Sequence, residues 1–230
     1  MEVVSKASSS RFLRNKDLID QRNLKGKVTL IGAGGIGSAL IQLLAIMGWK
    51  NILVWDDDVL AEHNLSTTTY RPKYLGKDKS LVACKTFDDF SDSSQMIKHK
   101  PFRWGPQDNI SRRVFLGPDN MDTRKYVYEK WRSQEDREFL IDMRMGALGM
   151  EIITATKEND NYMSTWKDGE SIQDEPCTMK HTIFTANIVA GFGINQAFCV
   201  LQGIPYYSYI NISLTPLIVQ KEGFTVSRTI

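Results

Sequence analysis

The sequence predicts an α/β fold, a mixed and mainly parallel sheet with helices on both faces, and three observations predict it. A short apolar run, Lys27 to Ile31, stops at a glycine turn, Gly32-Ala33-Gly34-Gly35-Ile36-Gly37. A helical stretch and a second apolar run, Asn51 to Trp55, follow, and that run ends in Asp56. Further short apolar runs, Arg113 to Leu116 and Phe139 to Ile141, are again separated by helical text, the alternation that a parallel sheet with crossover helices produces.

The first run has the unbroken apolar character of a strand buried on both faces. Gly32 allows the tight turn, Gly34 with its neighbour Gly35 lets the backbone approach a phosphate, and Gly37 lets the helix Ser38 to Met47 pack close to the strand. The N-terminus of that helix is aimed at the anion. Gly48 ends it. Asp56 emerges about 20 residues after the turn, where a ribose hydroxyl needs an acceptor. The unit is Rossmann-like, and a nucleotide belongs here.

Before it, Arg11 to Leu24 sets Phe12, Leu13, Leu18 and Ile19 among charges behind Ser10, a candidate cap. This predicts an amphipathic helix packed on the sheet or on a neighbouring subunit. After it, Asp56, Asp57 and Asp58 would repel one another on a shared surface, so at least one meets a cation or donor. Lys77 and Lys79 precede an apolar run, Leu81 to Ala83, that predicts the next helix, and a lysine entering a helix is placed to reach a phosphate. Met96 to Trp104 reads as a strand. Arg113 to Leu116 runs into Gly117-Pro118-Asp119-Asn120 and a helix from Lys125 to Arg132. Open α/β sheets bind ligands at the carboxyl ends of their strands, so Asp119 and Asn120 face the same crevice as Gly34 and Asp56. Taken alone, the pair would equally be a helix cap. Phe139 to Ile141 delivers Asp142 and Arg144 at its end, and Met150 to Thr156 is a β-branched strand. A polar stretch from Lys157 to Pro176 leads to Cys177, then to an apolar helix from Thr182 to Gly203. Tyr206 to Val226 alternates as two strands, with Pro216 at an edge or bend.

A chain of 230 residues with 42% hydrophobic content can bury one sizeable core. The expected organisation is a helical segment, 1–26, before a single domain, 27–230, that contains a crossover loop at about 157–181. The formal charge of +2 is spread along the chain and gives no argument for nucleic acid. Cys84, Cys177 and Cys199 fall in no CxxC spacing, so neither a disulfide framework nor a cysteine-held zinc is expected, and a reduced, cytoplasmic setting is the default. The start MEVVSKASSS lacks the apolar core of a secretory signal. The stretch Thr182 to Gly203 carries Asn187, Asn195 and Gln196, which a membrane span would have to desolvate, so it is expected to be buried in the fold.

The ordered series GAGGIGS, D-x-D with a downstream NL, GKDK, DNxxxR, and a cysteine before an apolar helix ending near NQA resembles the ThiF/MoeB family of ATP-dependent adenylyltransferases, relatives of the ubiquitin-activating enzymes. The resemblance runs from Arg11 to about Gln202. It implies a mixed α/β domain, commonly dimeric, that uses ATP and magnesium to adenylate the C-terminal glycine carboxylate of a small ubiquitin-like or sulfur-carrier protein. It implies that Gly32, Gly34, Gly35 and Gly37 lie against the phosphates, Asp56 and Asp58 form the acidic ribose end, and Asn64, Lys79 and Asn120 line the polyphosphate side. Asp119 would hold the magnesium, and Arg14 would reach the ATP of the other subunit of a homodimer. A carboxylate attacking an α-phosphate brings anion to anion, so magnesium, Lys79 and an arginine are needed to neutralise the leaving pyrophosphate. The sequence departs from the family in three ways. The NLxRQ arginine is missing, with Arg71 as its substitute. The CxxC zinc motifs are absent. Cys177, in a Pro-Cys-Thr setting, resembles the crossover-loop cysteine that carries a thioester or persulfide in some relatives. An NAD-dependent oxidoreductase and a non-catalytic binding partner with the same fold are the competing readings.

Overall fold

Eight strands build one sheet in the order β3-β2-β1-β4-β5-β6-β7-β8. The computed structural model describes residues 10–92, 94–166 and 182–225. In chain order the strands are β1 (Lys27–Ile31), β2 (Asn51–Trp55), β3 (Met96–Lys100), β4 (Arg113–Leu116), β5 (Phe139–Gly146), β6 (Gly149–Thr156), β7 (Tyr206–Leu214) and β8 (Leu217–Thr225). The helices are α1 (Gly35–Met47), α2 (Lys79–Phe90), α3 (Met121–Arg132) and α4 (Ile183–Gln202). The first five strands pair in parallel and the last three antiparallel. The sheet is therefore mixed and mainly parallel in its nucleotide half, as the sequence predicts.

Alternation within each central strand divides the core between the two faces. Leu30, Phe115, Phe139 and Ile141 point to one side and pack with Leu40, Ile41, Val82, Phe87 and Ile194, from α1, α2 and α4. Ile31, Val114, Leu116 and Leu140 point to the other, where Val127, Tyr128 and Trp131 of α3 and Tyr162 cover them. Helix α1 ends because Gly48 takes the left-handed conformation (φ 95°) and its N–H caps Ala45 and Leu44 carbonyls. Helix α4 starts on the Thr182 side chain and ends at Gly203 in the same conformation (φ 65°). It is the one helix among the described residues long and apolar enough to cross a membrane, and half of that stretch is buried inside the fold.

Three elements differ from expectation. Arg11 to Leu24 forms turns and then a short 3-10 helix at Asn23–Lys25 instead of an amphipathic helix. Tertiary contacts take its polar groups: Gln21 donates to the Met47 carbonyl at 3.2 Å, Arg11 to the Ala45 carbonyl at 3.4 Å, and Phe12 and Ile19 are buried while Leu13 and Leu18 are exposed. Strand β3 stops at Lys100, before Trp104. Strand β5 continues to Gly146, so Asp142 and Arg144 lie within a strand, because β6 pairs back along it through Gly146 and Gly149.

Candidate active site

The sheet order reverses between β1 and β4: from β1 the chain goes first to one side, through α1 to β2, and later to the other, through α3 to β5. Such a switch point opens a crevice at the carboxyl ends of the two strands. The two turns that line it touch. The Gly117 N–H donates to the Ile31 carbonyl at 2.9 Å, and a Cβ on Gly32 (φ 93°) would lie 2.6 Å from the Gly117 carbonyl carbon. A Cβ on Gly37 would overlap the Gly32 carbonyl oxygen, whereas one on Gly34 would meet nothing within 4 Å. Gly32 and Gly37 are thus required by close backbone approach, and Gly34 faces open space. No side chain caps α1 at Gly34, and its first turn carries no acidic residue. Its first N–H groups, with the positive end of the helix dipole, are left to the crevice.

Two groups outside the glycine pattern hold this turn. Tyr70, fully buried, donates its hydroxyl to the Ala33 carbonyl at 2.8 Å, and burial raises its phenol well above the ordinary range. Ser38 accepts from the Thr69 N–H at 3.1 Å. Neither stands out in the sequence, because each acts through a long-range contact.

Each of the three consecutive aspartates meets its own partners. Asp56 accepts at both oxygens, from the Ala33 N–H at 2.6 Å and the Asp58 N–H at 2.9 Å. Burial raises its carboxyl from the ordinary value, while those two N–H groups and Lys79 pull the other way. Asp57 pairs with Arg103 at 3.2 Å. Asp58 accepts from Lys79 Nζ at 2.7 Å, with the lysine side chain only 10% exposed. Lys79 therefore stands at the start of α2 facing the acidic end of β2.

Asp119 is exposed and Asn120 half-buried on the turn after β4. The Asn120 side-chain oxygen caps α3, accepting from the Thr123 N–H at 2.8 Å, and its amide lies 3.3 Å from Asp119 Oδ1. Of the two readings for Asn120, the helix cap is the one seen, and the same side chain also contacts Asp119. Among the described residues there is no cluster of three or more metal-ligating side chains. Magnesium does not require one, since it binds through one or two carboxylates together with substrate phosphates and water. Asp119, exposed on the turn whose Gly117 packs against Gly32, fits that donor set.

Other candidates lie apart. Arg71 pairs with Asp89 at 3.2 Å, near the far end of α2 from Lys79. Asn64 accepts from the Ala61 N–H at 3.0 Å and ends a short turn that leads to Thr69 and Tyr70, above the start of α1. Arg14 is exposed and makes no ion pair among the described residues. Cys177 lies outside the described residues.

Cys84 and Cys199 are both buried and free, as expected of core cysteines. Burial pushes the Cys84 thiol up to about 12. The unfolded chain ionises this thiol near pH 9 while the folded chain keeps its proton, so the unfolded state binds fewer protons and stability falls as pH rises between about 9 and about 12. Urea denaturation at rising pH should show wild type losing up to about 1.4 kcal/mol per pH unit more than Cys84→Ser in that window. Equal slopes would show that the folded thiol ionises normally.

Residues 11–222 match the ThiF family. Over 134 residues the chain is 31% identical to the NEDD8-activating enzyme E1 catalytic subunit of Arabidopsis thaliana, a match covering 50% of this chain and 29% of that one. It is 32% identical over 102 residues to ubiquitin-like modifier-activating enzyme 5 of Dictyostelium discoideum, covering 43% and 27%. The matches thus span less than a third of these relatives. Among solved structures it resembles PaaA, with a TM-score of 0.75, 17% identity and coverage of 98% and 76%, and E. coli MccB solved with ATP, with a TM-score of 0.73, 15% identity and coverage of 95% and 72%.

Proposed function

The chain belongs to the ThiF family, and from that membership and the crevice geometry we propose that it adenylates the C-terminal carboxylate of a small ubiquitin-like or sulfur-carrier protein, with ATP as the donor. The observation that supports this reading is the uncapped α1 N-terminus at a switch point, with Asp56 on the Ala33 N–H, Lys79 paired to Asp58 two residues on, and Asp119 exposed on the turn whose Gly117 packs against Gly32. A nicotinamide enzyme would use the glycine turn and Asp56 but has no need of a lysine and a free carboxylate at the phosphate end.

In this reading Gly34 and the first N–H groups of α1 receive the phosphates, and Asp56 receives the ribose with its remaining lone pairs. Lys79 leaves Asp58 in part to face the leaving pyrophosphate. Asp119 would hold a magnesium ion, which when bound supplies charge neutralisation to the polyphosphate. The carrier carboxylate is already ionised at neutral pH, so no general base is required and the chain contributes position and fixed charge. Support for a protein substrate comes from the relatives: two are named for activating NEDD8 and a ubiquitin-like modifier, and MccB has been solved together with AMPCPP and MccA. Cys177, placed before α4 in sequence, would attack the acyl adenylate as the thiolate in a second step, forming a thioester as the acyl–phosphate bond breaks and AMP leaves.

The test is ATP–pyrophosphate exchange with magnesium and a carrier ending in Gly-Gly. Exchange should be present in wild type and fall about 100-fold or more in Lys79→Ala, the scale of losing one preorganised electrostatic donor. Exchange should persist in Cys177→Ala while any covalent carrier adduct disappears. No exchange with any carrier, together with tight NADH binding, would sink the proposal.

A further inference from the structure

Beneath the Asp119 turn lies a charged cluster that the chemistry above does not use. Asp142, on β5, is completely buried. It pairs with Arg124 of α3 and with Arg144 Nε at 2.8 Å, and accepts from the Tyr162 hydroxyl at 2.9 Å. The two arginines then diverge. Arg144 donates to the Thr165 carbonyl at 3.0 Å and faces Glu151 at 3.7 Å. Arg124 donates its other terminal nitrogen to the Pro118 carbonyl, in the turn that carries Asp119.

Arg124 is a poor choice for stability alone. It sits in the first turn of α3, at the positive end of the helix dipole, where a cation is disfavoured. It is buried, and burial lowers its guanidinium to about 10, still charged at neutral pH. Buried ion pairs of this kind can often be replaced by apolar side chains without loss of stability. What an apolar side chain cannot do is bridge a fixed carboxylate to a backbone carbonyl. Asp119 itself is exposed; its side chain has one hydrogen-bond contact, with Asn120 at 3.3 Å, and feels the Arg124 charge electrostatically without a direct bond to it. The turn beneath it is what fixes its direction.

We infer that Arg124 is a positioning residue: anchored on Asp142, it holds the Pro118 carbonyl and so fixes the Asp119 turn in the orientation that receives magnesium-bound nucleotide. The inference rests on the ATP reading above and adds to it a residue that touches neither ATP nor metal.

Binding of ATP to the full chain, measured by titration calorimetry in magnesium and again in EDTA without carrier, separates this role from a structural one. Wild type should bind more tightly in magnesium. Arg124→Met should lose about 10-fold or more of that magnesium-dependent gain while its EDTA affinity stays within about 3-fold of wild type. Arg144→Met is the control, because it removes an arginine from the same carboxylate without touching the Asp119 turn; it should keep the gain. If Arg124→Met does not fold, Arg124→Lys serves, since one ammonium retains the charge but not the two-ended grip, and it should show the same selective loss. A full magnesium gain in the Arg124 variant, or equal loss in both arginine variants, overturns the inference and leaves the cluster a fold support. Absence of ATP binding by wild type in both conditions overturns the proposed function, and this inference with it.

Discussion

Gly37→Ala should abolish ATP binding and lower stability by about 3 kcal/mol or more, a fall in Tm of at least about 6 °C for a chain of this size. Glycine to alanine inside a helix normally stabilises by up to about 1 kcal/mol. Here the sign reverses, because the added methyl would overlap the Gly32 carbonyl oxygen, and both atoms belong to rigid backbone. Relief requires α1 to move off β1, which would open the contact between the glycine turn and Gly117. Gly34→Ala supplies the contrast. Its methyl meets no protein atom within 4 Å, so Tm should stay within about 2 °C of wild type. ATP affinity should still drop about 10-fold, about 1.4 kcal/mol, because the methyl occupies the space where a phosphate would approach. Thermal melts and ATP titrations of the two variants decide this; equal stability losses would show that the turn is not built as described.

Asp142→Leu should cost about 3–5 kcal/mol, the expected penalty for leaving buried charges without their partner. The carboxylate is 0% exposed and faces two arginines whose side chains are 7% and 11% exposed, so water cannot replace it cheaply. Chemical denaturation measures the loss directly. Removing both arginines in the same chain, as Asp142→Leu with Arg124→Met and Arg144→Met, should recover most of it, since the penalty belongs to unpaired charge rather than to missing volume. A single-variant loss below about 1 kcal/mol would mean that the cluster is hydrated.

Much of this fold could be read before any coordinates. Short, mostly apolar runs such as Lys27–Ile31 and Arg113–Leu116 read as central strands, and the glycine spacing fits a strand before it and a helix after it. The three aspartates showed the need for partners, though not which ones. What escaped depended on contacts distant in sequence. Arg11 to Leu24 has enough apolar and charged residues for an amphipathic helix, yet its side chains serve the end of α1 and the chain follows them into turns. Asp142 and Arg144 look like the polar end of a strand, and only the pairing with β6 reveals that the strand runs on and buries them. Tyr70 carries no motif at all.

The placement of β1 between β2 and β4 has a consequence for how the chain is made. Its first neighbour is complete by Trp55, but its second arrives only with Arg113–Leu116. During synthesis one side of β1 therefore presents unsatisfied backbone groups across the intervening residues, the state in which strands recruit wrong partners. A nascent chain arrested before residue 113 should be prone to aggregate and unable to shape the nucleotide crevice, because half of that crevice has yet to be translated.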